Sequence, residues 1–164
     1  MYTIPPQTTI GHIHLTVGDL ERALRFYQGI LGFQITAQYG PGAIFLSAGG
    51  YHHHIGLNTW QGTGVSPAPR GHAGLYHVAI LYPDRIALAT ALRRLVDAEY
   101  PITGFADHGV SEAIYLDDPD GNGVELYVDR PKSEWQYATD GSIVMASEPL
   151  DVEALLALAD PSVG

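Results

Sequence analysis

The chain says nearly the same thing twice, and each time it opens with a histidine. Gly11-His12-Ile13-His14-Leu15-Thr16-Val17-Gly18-Asp19 begins one stretch, and Tyr76-His77-Val78-Ala79-Ile80-Leu81-Tyr82-Pro83-Asp84 begins the other. His12 and His77 are 65 positions apart (77 − 12), and so are Asp19 and Asp84 (84 − 19). In both copies an apolar strand runs into an acidic helix start and an amphipathic helix. A self-similar period of this kind marks a duplicated supersecondary unit, so one copy constrains the reading of the other.

Ile10 to Val17 alternates apolar residues with His and Thr and reads as a strand. Asp19 then caps a helix carrying Leu20, Ala23, Leu24, Tyr27 and Leu31 at helical spacing, and Gly32 stops it. Phe33 to Tyr39, Ala43 to Ser47 and His52 to Asn58 read as three strands separated by Gly-rich turns. Trp60 to Gly74, rich in Gly, Pro and Ser, is the natural linker. In the second copy, Leu75 to Tyr82 is a strand, and Ile86, Ala89, Leu92 and Val96 mark the buried face of a helix. Strands near Ile102 to Phe105, Glu112 to Leu116 and Gly123 to Val128 follow. Each copy is therefore β-α-β-β-β, with too many strands per helix for a doubly wound parallel sheet. Arg130 to Ser147 is polar and irregular, and Asp151 caps a short helix over Val152 to Ala159. This tail is expected on the sheet exterior or against a partner subunit.

Composition removes several function classes. The formal net charge of −10 opposes binding to nucleic acid, whose phosphates would be repelled. Cysteine is absent, which leaves no disulfide, thiolate site or Cys nucleophile. Met1 to Thr9 has no basic segment followed by an apolar run, and no uncharged apolar stretch reaches the roughly 18 residues of a membrane span. A cytoplasmic protein is expected, with no membrane partner.

The chemistry is carried by His and Glu. His12 and His77 occupy matching places, and Glu125 follows Asp118-Pro119-Asp120-Gly121-Asn122-Gly123-Val124 on a late strand. Two His and one carboxylate are the ingredients of a facial metal triad. Strand alternation points Glu125 away from Val124 and Leu126, and a carboxylate aimed into a core needs a partner, which a metal supplies. His14 shares the face of His12 and is either its pocket neighbour or the ligand itself. In Tyr51-His52-His53-His54, period two puts His52 and His54 on the face of Gly56 and His53 on the opposite one. His72 lies in the linker and is expected in solvent.

The two units, with His, His and Glu so placed, resemble the vicinal oxygen chelate superfamily, which includes glyoxalase I, type I extradiol dioxygenases and bleomycin-resistance proteins. The resemblance covers about residues 8–130, with units at 8–60 and 73–130 and a tail at 131–164. It implies an α+β fold in which two βαβββ modules form a curved mixed sheet around a central metal cavity. Gly74-Leu75-Tyr76-His77, Asp107-His108-Gly109-Val110-Ser111-Glu112-Ala113-Ile114-Tyr115-Leu116 and the tail from Asp129-Arg130-Pro131 to Leu155-Leu156 look most like the bacterial catechol 2,3-dioxygenase group. Many members of that group have two tandem double-modules, whereas this chain has one.

The resemblance implies a metal held by His12, His77 and Glu125, the family pattern choosing His12 over His14. It implies Fe(II) or Mn(II), with a catechol-like aromatic diol and dioxygen as partners of the site. His54 resembles a histidine that moves a proton beside the metal, Tyr115 a tyrosine that hydrogen-bonds the substrate oxygen, and His108 a second histidine lining the pocket. Glyoxalase I carries a fourth ligand, a Glu, on the fourth strand of its first unit. Aligning Ile55-Gly56-Leu57 with that strand puts Gly56 in the slot. Three protein ligands leave positions for a bidentate substrate and dioxygen together. The resulting expectation is an extradiol ring-cleaving dioxygenase, assembled as a homo-oligomer such as a dimer. The alternatives are a glyoxalase-type or fosfomycin-type lyase or isomerase, and a bleomycin-resistance-type binding module. With only 8 Lys and Arg in the chain, no basic cluster stands ready for a phosphonate.

Overall fold

The computed structural model describes residues 1–69 and 71–159. The end of the expected tail, 160–164, lies outside the described residues. The chain forms two compact units that part between Ser66 and Pro67, within the Gly- and Pro-rich linker. No helix among the described residues is long and apolar enough to cross a membrane.

In the first unit, β1 (Ile13–Thr16) leads into α1 (Leu20–Leu24), followed by β2 (Gln34–Tyr39), β3 (Ala43–Ser47) and β4 (Ile55–Asn58). The sheet order is β1-β4-β3-β2. The crossover through α1 makes β1 and β4 parallel, while the hairpins make the other pairs antiparallel. Asp19 caps α1 by accepting the Arg22 N–H at 3.0 Å. The expected single helix is a short α-helix continuing as a π-helical segment over Arg25–Ile30, which leaves Phe26 and Tyr27 buried side by side. Gly32, at φ +85°, ends it in the left-handed conformation that a side chain would resist. Ala23, Phe26, Tyr27, Leu46 and Leu57 are fully or almost fully enclosed.

The second unit repeats this plan. β5 (His77–Leu81), α2 (Arg85–Asp97), β6 (Gly104–Asp107), β7 (Ser111–Asp117) and β8 (Gly123–Asp129) give the sheet order β5-β8-β7-β6, with β5 parallel to β8. Asp84 caps α2 through the Ala87 N–H at 2.8 Å, as Asp19 caps α1. The α+β class and the β-α-β-β-β order of both units stand as expected.

Two details differ from the sequence expectations. The buried stripe of α2 is Leu88, Ala89, Ala91, Leu92 and Leu95, while Ile86 and Val96 are exposed. Leu88, Leu92 and Leu95 repeat at spacings of four and three, and Ile86 lies about 160° around the axis from Leu88. The tail is also more ordered than a loose polar stretch. Its 146–148 segment hydrogen-bonds to the end of β6, and α3 (Val152–Leu156) packs on α2 with Leu155 buried.

One ionic cluster ties the elements of the second unit together. The Arg130 guanidinium contacts Asp107 at 2.5 Å and Glu112 at 2.9 Å, and Arg85 contacts the other Glu112 oxygen at 2.8 Å. The Glu112 side chain is only 4% exposed, so these cations replace the water it lost. The Arg130 hydrogen bond is the main cause holding the Asp107 carboxyl below its ordinary pKa. A depressed carboxyl pKa contributes stability above the unfolded value, near 3.9, and loses it as pH falls through the folded value. Arg130→Ala should cost roughly 2–3 kcal/mol at pH 7, because Glu112 keeps Arg85 but Asp107 loses its partner. Urea unfolding at pH 7 and pH 3 checks this, and the deficit should shrink at the lower pH.

Candidate metal centre

In the second unit the site is built by strand register. His77 opens β5 and pairs with Gly123, and Ala79 pairs with Glu125. Glu125 is directly opposite Tyr115 on the neighbouring β7. The Asp118 carboxylate accepts the N–H groups of Asp120 and Asn122, both at 2.9 Å, and so shapes the turn before β8. Gly123 then lets β5 come close. A Cβ at that position would collide with the Tyr76 carbonyl oxygen and lie 3.1 Å from the His77 Cβ. The glycine-rich turn thus lets the His77 and Glu125 strands lie together.

His77 Nε2 lies 3.0 Å from Glu125 Oε2, with the side chains 32% and 11% exposed. Two donors bonded at about 2.1 Å in adjacent octahedral positions stand about 3 Å apart, so this spacing fits a shared divalent ion. His77 Nδ1 is buried and has no hydrogen-bond partner, so nothing in the described residues competes for the ring. The Tyr115 hydroxyl reaches Glu125 Oε1 at 3.0 Å and His108 Nε2 at 2.6 Å. Burial, then the hydrogen bond to Glu125, pushes the Tyr115 pKa up to about 12, so the phenol keeps its hydrogen at neutral pH. His108 Nδ1 donates to the Ala146 carbonyl at 2.7 Å. The second unit therefore brings together four of the sequence-derived candidates: His77, Glu125, Tyr115 and His108.

In the first unit His12 is exposed and lies just ahead of β1, which starts at Ile13 rather than Ile10. Its ring is 4.4 Å from that of His53 and 6.4 Å from that of His52. His53 also touches Phe45, at 5.0 Å between ring centres, and Phe45 in turn touches His14. The expectation that His53 faces away is wrong. β4 begins only at Ile55, so His52 and His53 lie in a bend where period-two alternation does not hold. Thr36, at a bulge in β2, donates its hydroxyl to the His52 carbonyl at 2.7 Å and helps fix this bend.

His54 is held differently. Its backbone pairs with Leu46 on one side and Ile13 on the other. Its Nδ1 accepts the Ala48 N–H at 3.3 Å and lies 3.1 Å from the Ser47 hydroxyl. An amide N–H can only donate, so in the neutral ring the hydrogen sits on Nε2. Nothing in the sequence marked Ser47, Ala48 or Ala146 as supports, because two of these three contacts are made by backbone groups.

Register relates the two units. Two residues after His77, Ala79 is opposite Glu125; two residues after His12, His14 is opposite Gly56. Gly56 is thus the counterpart of Glu125 in the first sheet. Its vacant side is taken by the His14 ring, which also packs on Trp60 at 5.1 Å. A Cβ on Gly56 would stand 2.8 Å from His14 Cδ2. His14 accordingly covers the slot where a fourth ligand would grow. Among the described residues, no three His, Asp or Glu side chains gather into a complete metal-binding group.

Residues 9–126 match the Glyoxalase/Bleomycin resistance protein/Dioxygenase superfamily, and the chain belongs to it. It is 45% identical over 156 residues to Catechol-2,3-dioxygenase of Bacillus subtilis (strain 168), covering 95% of this chain and 54% of that protein. It is 29% identical over 127 residues to Biphenyl-2,3-diol 1,2-dioxygenase 3 of Rhodococcus globerulus, covering 77% of this chain and 65% of that one. The chain thus spans about half to two thirds of the length of these relatives. A solved glyoxalase/dioxygenase from Nostoc punctiforme shares the fold, with TM-score 0.66 and 18% identity over 80% of this chain and 97% of that one.

The close approach at Gly56 makes a prediction. Gly56→Ala should lower the melting temperature, because the His14 ring must move. His14→Ala in the same background should recover part of the loss. A double-mutant cycle in thermal unfolding measures this coupling, which should exceed about 0.5 kcal/mol for residues in contact.

Proposed function

We propose that the chain is a metal-dependent extradiol dioxygenase that cleaves the ring of a catechol-like aromatic. The observation that carries this reading is the Tyr115 hydroxyl between Glu125 and His108, beside the His77–Glu125 pair. The likeness to two dioxygenases acting on vicinal diols supports it. His12, His77 and Glu125 would hold the ion, with Fe(II) or Mn(II) the metals suited to this mixed N/O donor set and this reaction. Such an ion would supply Lewis acidity and an electronic link between a chelated diol and dioxygen. The overall reaction breaks one ring C–C bond beside the diol and takes up both oxygen atoms of dioxygen.

The chain's own residues do the rest. Tyr115 keeps its hydrogen and can donate it to a substrate oxygen lying next to Glu125. His54 presents Nε2–H, since Nδ1 is committed to Ala48, so in its neutral form it begins as a donor to negative charge rather than as a base. Gly56 has no donor atom, so a bound ion would keep positions for both oxygen-bearing reactants. This separates the reading from that of a glyoxalase, whose fourth ligand would require a side chain where the His14 ring now lies.

The test is anaerobic loading with Fe(II) or Mn(II), followed by oxygen uptake on a small panel of catechols; ring-opened products are yellow. Activity should require the ion and disappear in Glu125→Ala with the metal. His54→Asn should keep metal and substrate binding while cutting turnover roughly 100-fold or more. Tyr115→Phe should cost about five- to tenfold, the scale of one hydrogen bond. A fully loaded protein that binds catechols without consuming oxygen would instead favour a binding module.

A further inference from the structure

We propose that the C-terminal tail is a positioning element of this site: the Ala146 carbonyl fixes the ring orientation and tautomer of His108, and through it the Tyr115 hydroxyl beside Glu125. The functional consequence rests on the extradiol reading; the structural claim does not.

The tail is built to reach His108. Tyr137 and Ile143 pair as an antiparallel bridge, and Asp140 ties the intervening turn by accepting the N–H and the hydroxyl of Ser142. The chain then runs back along the end of β6, an edge strand of its sheet. Asp107 and Glu148 exchange two backbone hydrogen bonds of 2.9 Å, and the Ala146 N–H donates to the His108 carbonyl at 3.0 Å. The root of the tail is anchored to the same strand end, since Arg130 grips Asp107 and the Trp135 indole N–H donates to the Arg130 carbonyl at 2.9 Å.

These backbone contacts place the Ala146 oxygen 2.7 Å from His108 Nδ1. A carbonyl only accepts, so Nδ1 carries a hydrogen, and in the neutral ring Nε2 is left as the acceptor facing the phenol. The single Tyr115 hydroxyl hydrogen then lies between two acceptors, Nε2 at 2.6 Å and Glu125 at 3.0 Å, and serves one of them at a time. Loss of the tail contact would let the ring flip or change tautomer, and the phenol would lose its fixed second partner. His108 sits in the β6–β7 turn, with its own N–H bonded to the Ser111 carbonyl, and its ring also meets that of Tyr115. The tail is therefore the support that decides which nitrogen meets the site.

The experiment uses full-length protein labelled with 15N-histidine, without metal. Imidazole 15N shifts should show wild-type His108 with its hydrogen on Nδ1. Ala146→Pro, which deletes the N–H bonded to His108 and disturbs the adjoining carbonyl, should give a tautomer mixture at that ring. In the metal-loaded enzyme, kcat should fall about threefold to fivefold, less than in Tyr115→Phe, with KM and metal affinity nearly unchanged. In a His108→Phe background the same substitution should cost nothing further. If Ala146→Pro does not fold, Glu148→Pro, which deletes the N–H donated to Asp107, is measured in the same way. An unchanged His108 tautomer, or an equal kcat loss in the His108→Phe background, would overturn the proposal. If wild-type protein cleaves no catechol, the extradiol reading fails, and the tautomer comparison still decides the role of the tail.

Discussion

The site depends on the close parallel pairing of β5 with β8. That pairing sets His77 beside Gly123 and Ala79 beside Glu125, and it brings an imidazole nitrogen and a carboxylate oxygen to 3.0 Å. It is possible only because position 123 has no side chain to strike the Tyr76 carbonyl. The preceding turn, folded around the Asp118 carboxylate, delivers that glycine at the start of the strand. Tyr115 follows from the same ladder, as the direct neighbour of Glu125 on β7. The tail adds the last support through His108. A chain of local constraints thus runs from a turn motif to a set of converging polar groups.

Duplication supplies a frame that the two units use differently. Both have the same sheet order and the same acidic helix cap. In the second, the position opposite the residue two beyond His77 carries a carboxylate; in the first, the position opposite the residue two beyond His12 is Gly56, beneath a histidine ring. One unit thus presents an oxygen donor where the other presents His14 packed on Trp60 and Phe45. The rings of His12, His52 and His53 form an aromatic cluster. Burial, followed by the neighbouring imidazoles, lowers the His53 pKa, which disfavours a second positive charge beside His12.

Much of this was legible in the sequence because it is periodic. The 65-residue offset predicted both sheets and both helix caps. The Asp-Pro-Asp-Gly-Asn-Gly turn pointed to Glu125. Legibility failed where periodicity stops. His53 was expected to face away, but β4 begins two residues after it, and its ring lies against that of His12. Ile86 was placed on the buried face of α2 by spacing alone, while the leucines at 88, 92 and 95 set a stripe that leaves it out. The supports of His54 and His108 were invisible, because the Ala48 N–H and the Ala146 carbonyl exist at every residue and only the fold brings them to a ring nitrogen. The π-helical turn after Leu24 likewise has no counterpart in a pattern of apolar spacing.

The proposed divalent ion, with His12, His77 and Glu125 as its ligands, is the part of the functional reading most open to direct test. The most direct measurement is an anomalous difference map from a crystal reconstituted anaerobically with Mn(II). The expected result is a single strong peak within about 2.0–2.3 Å of a nitrogen of His12, a nitrogen of His77 and an oxygen of Glu125. A peak coordinated by other residues, one that leaves out His77, or none at full reconstitution would contradict it.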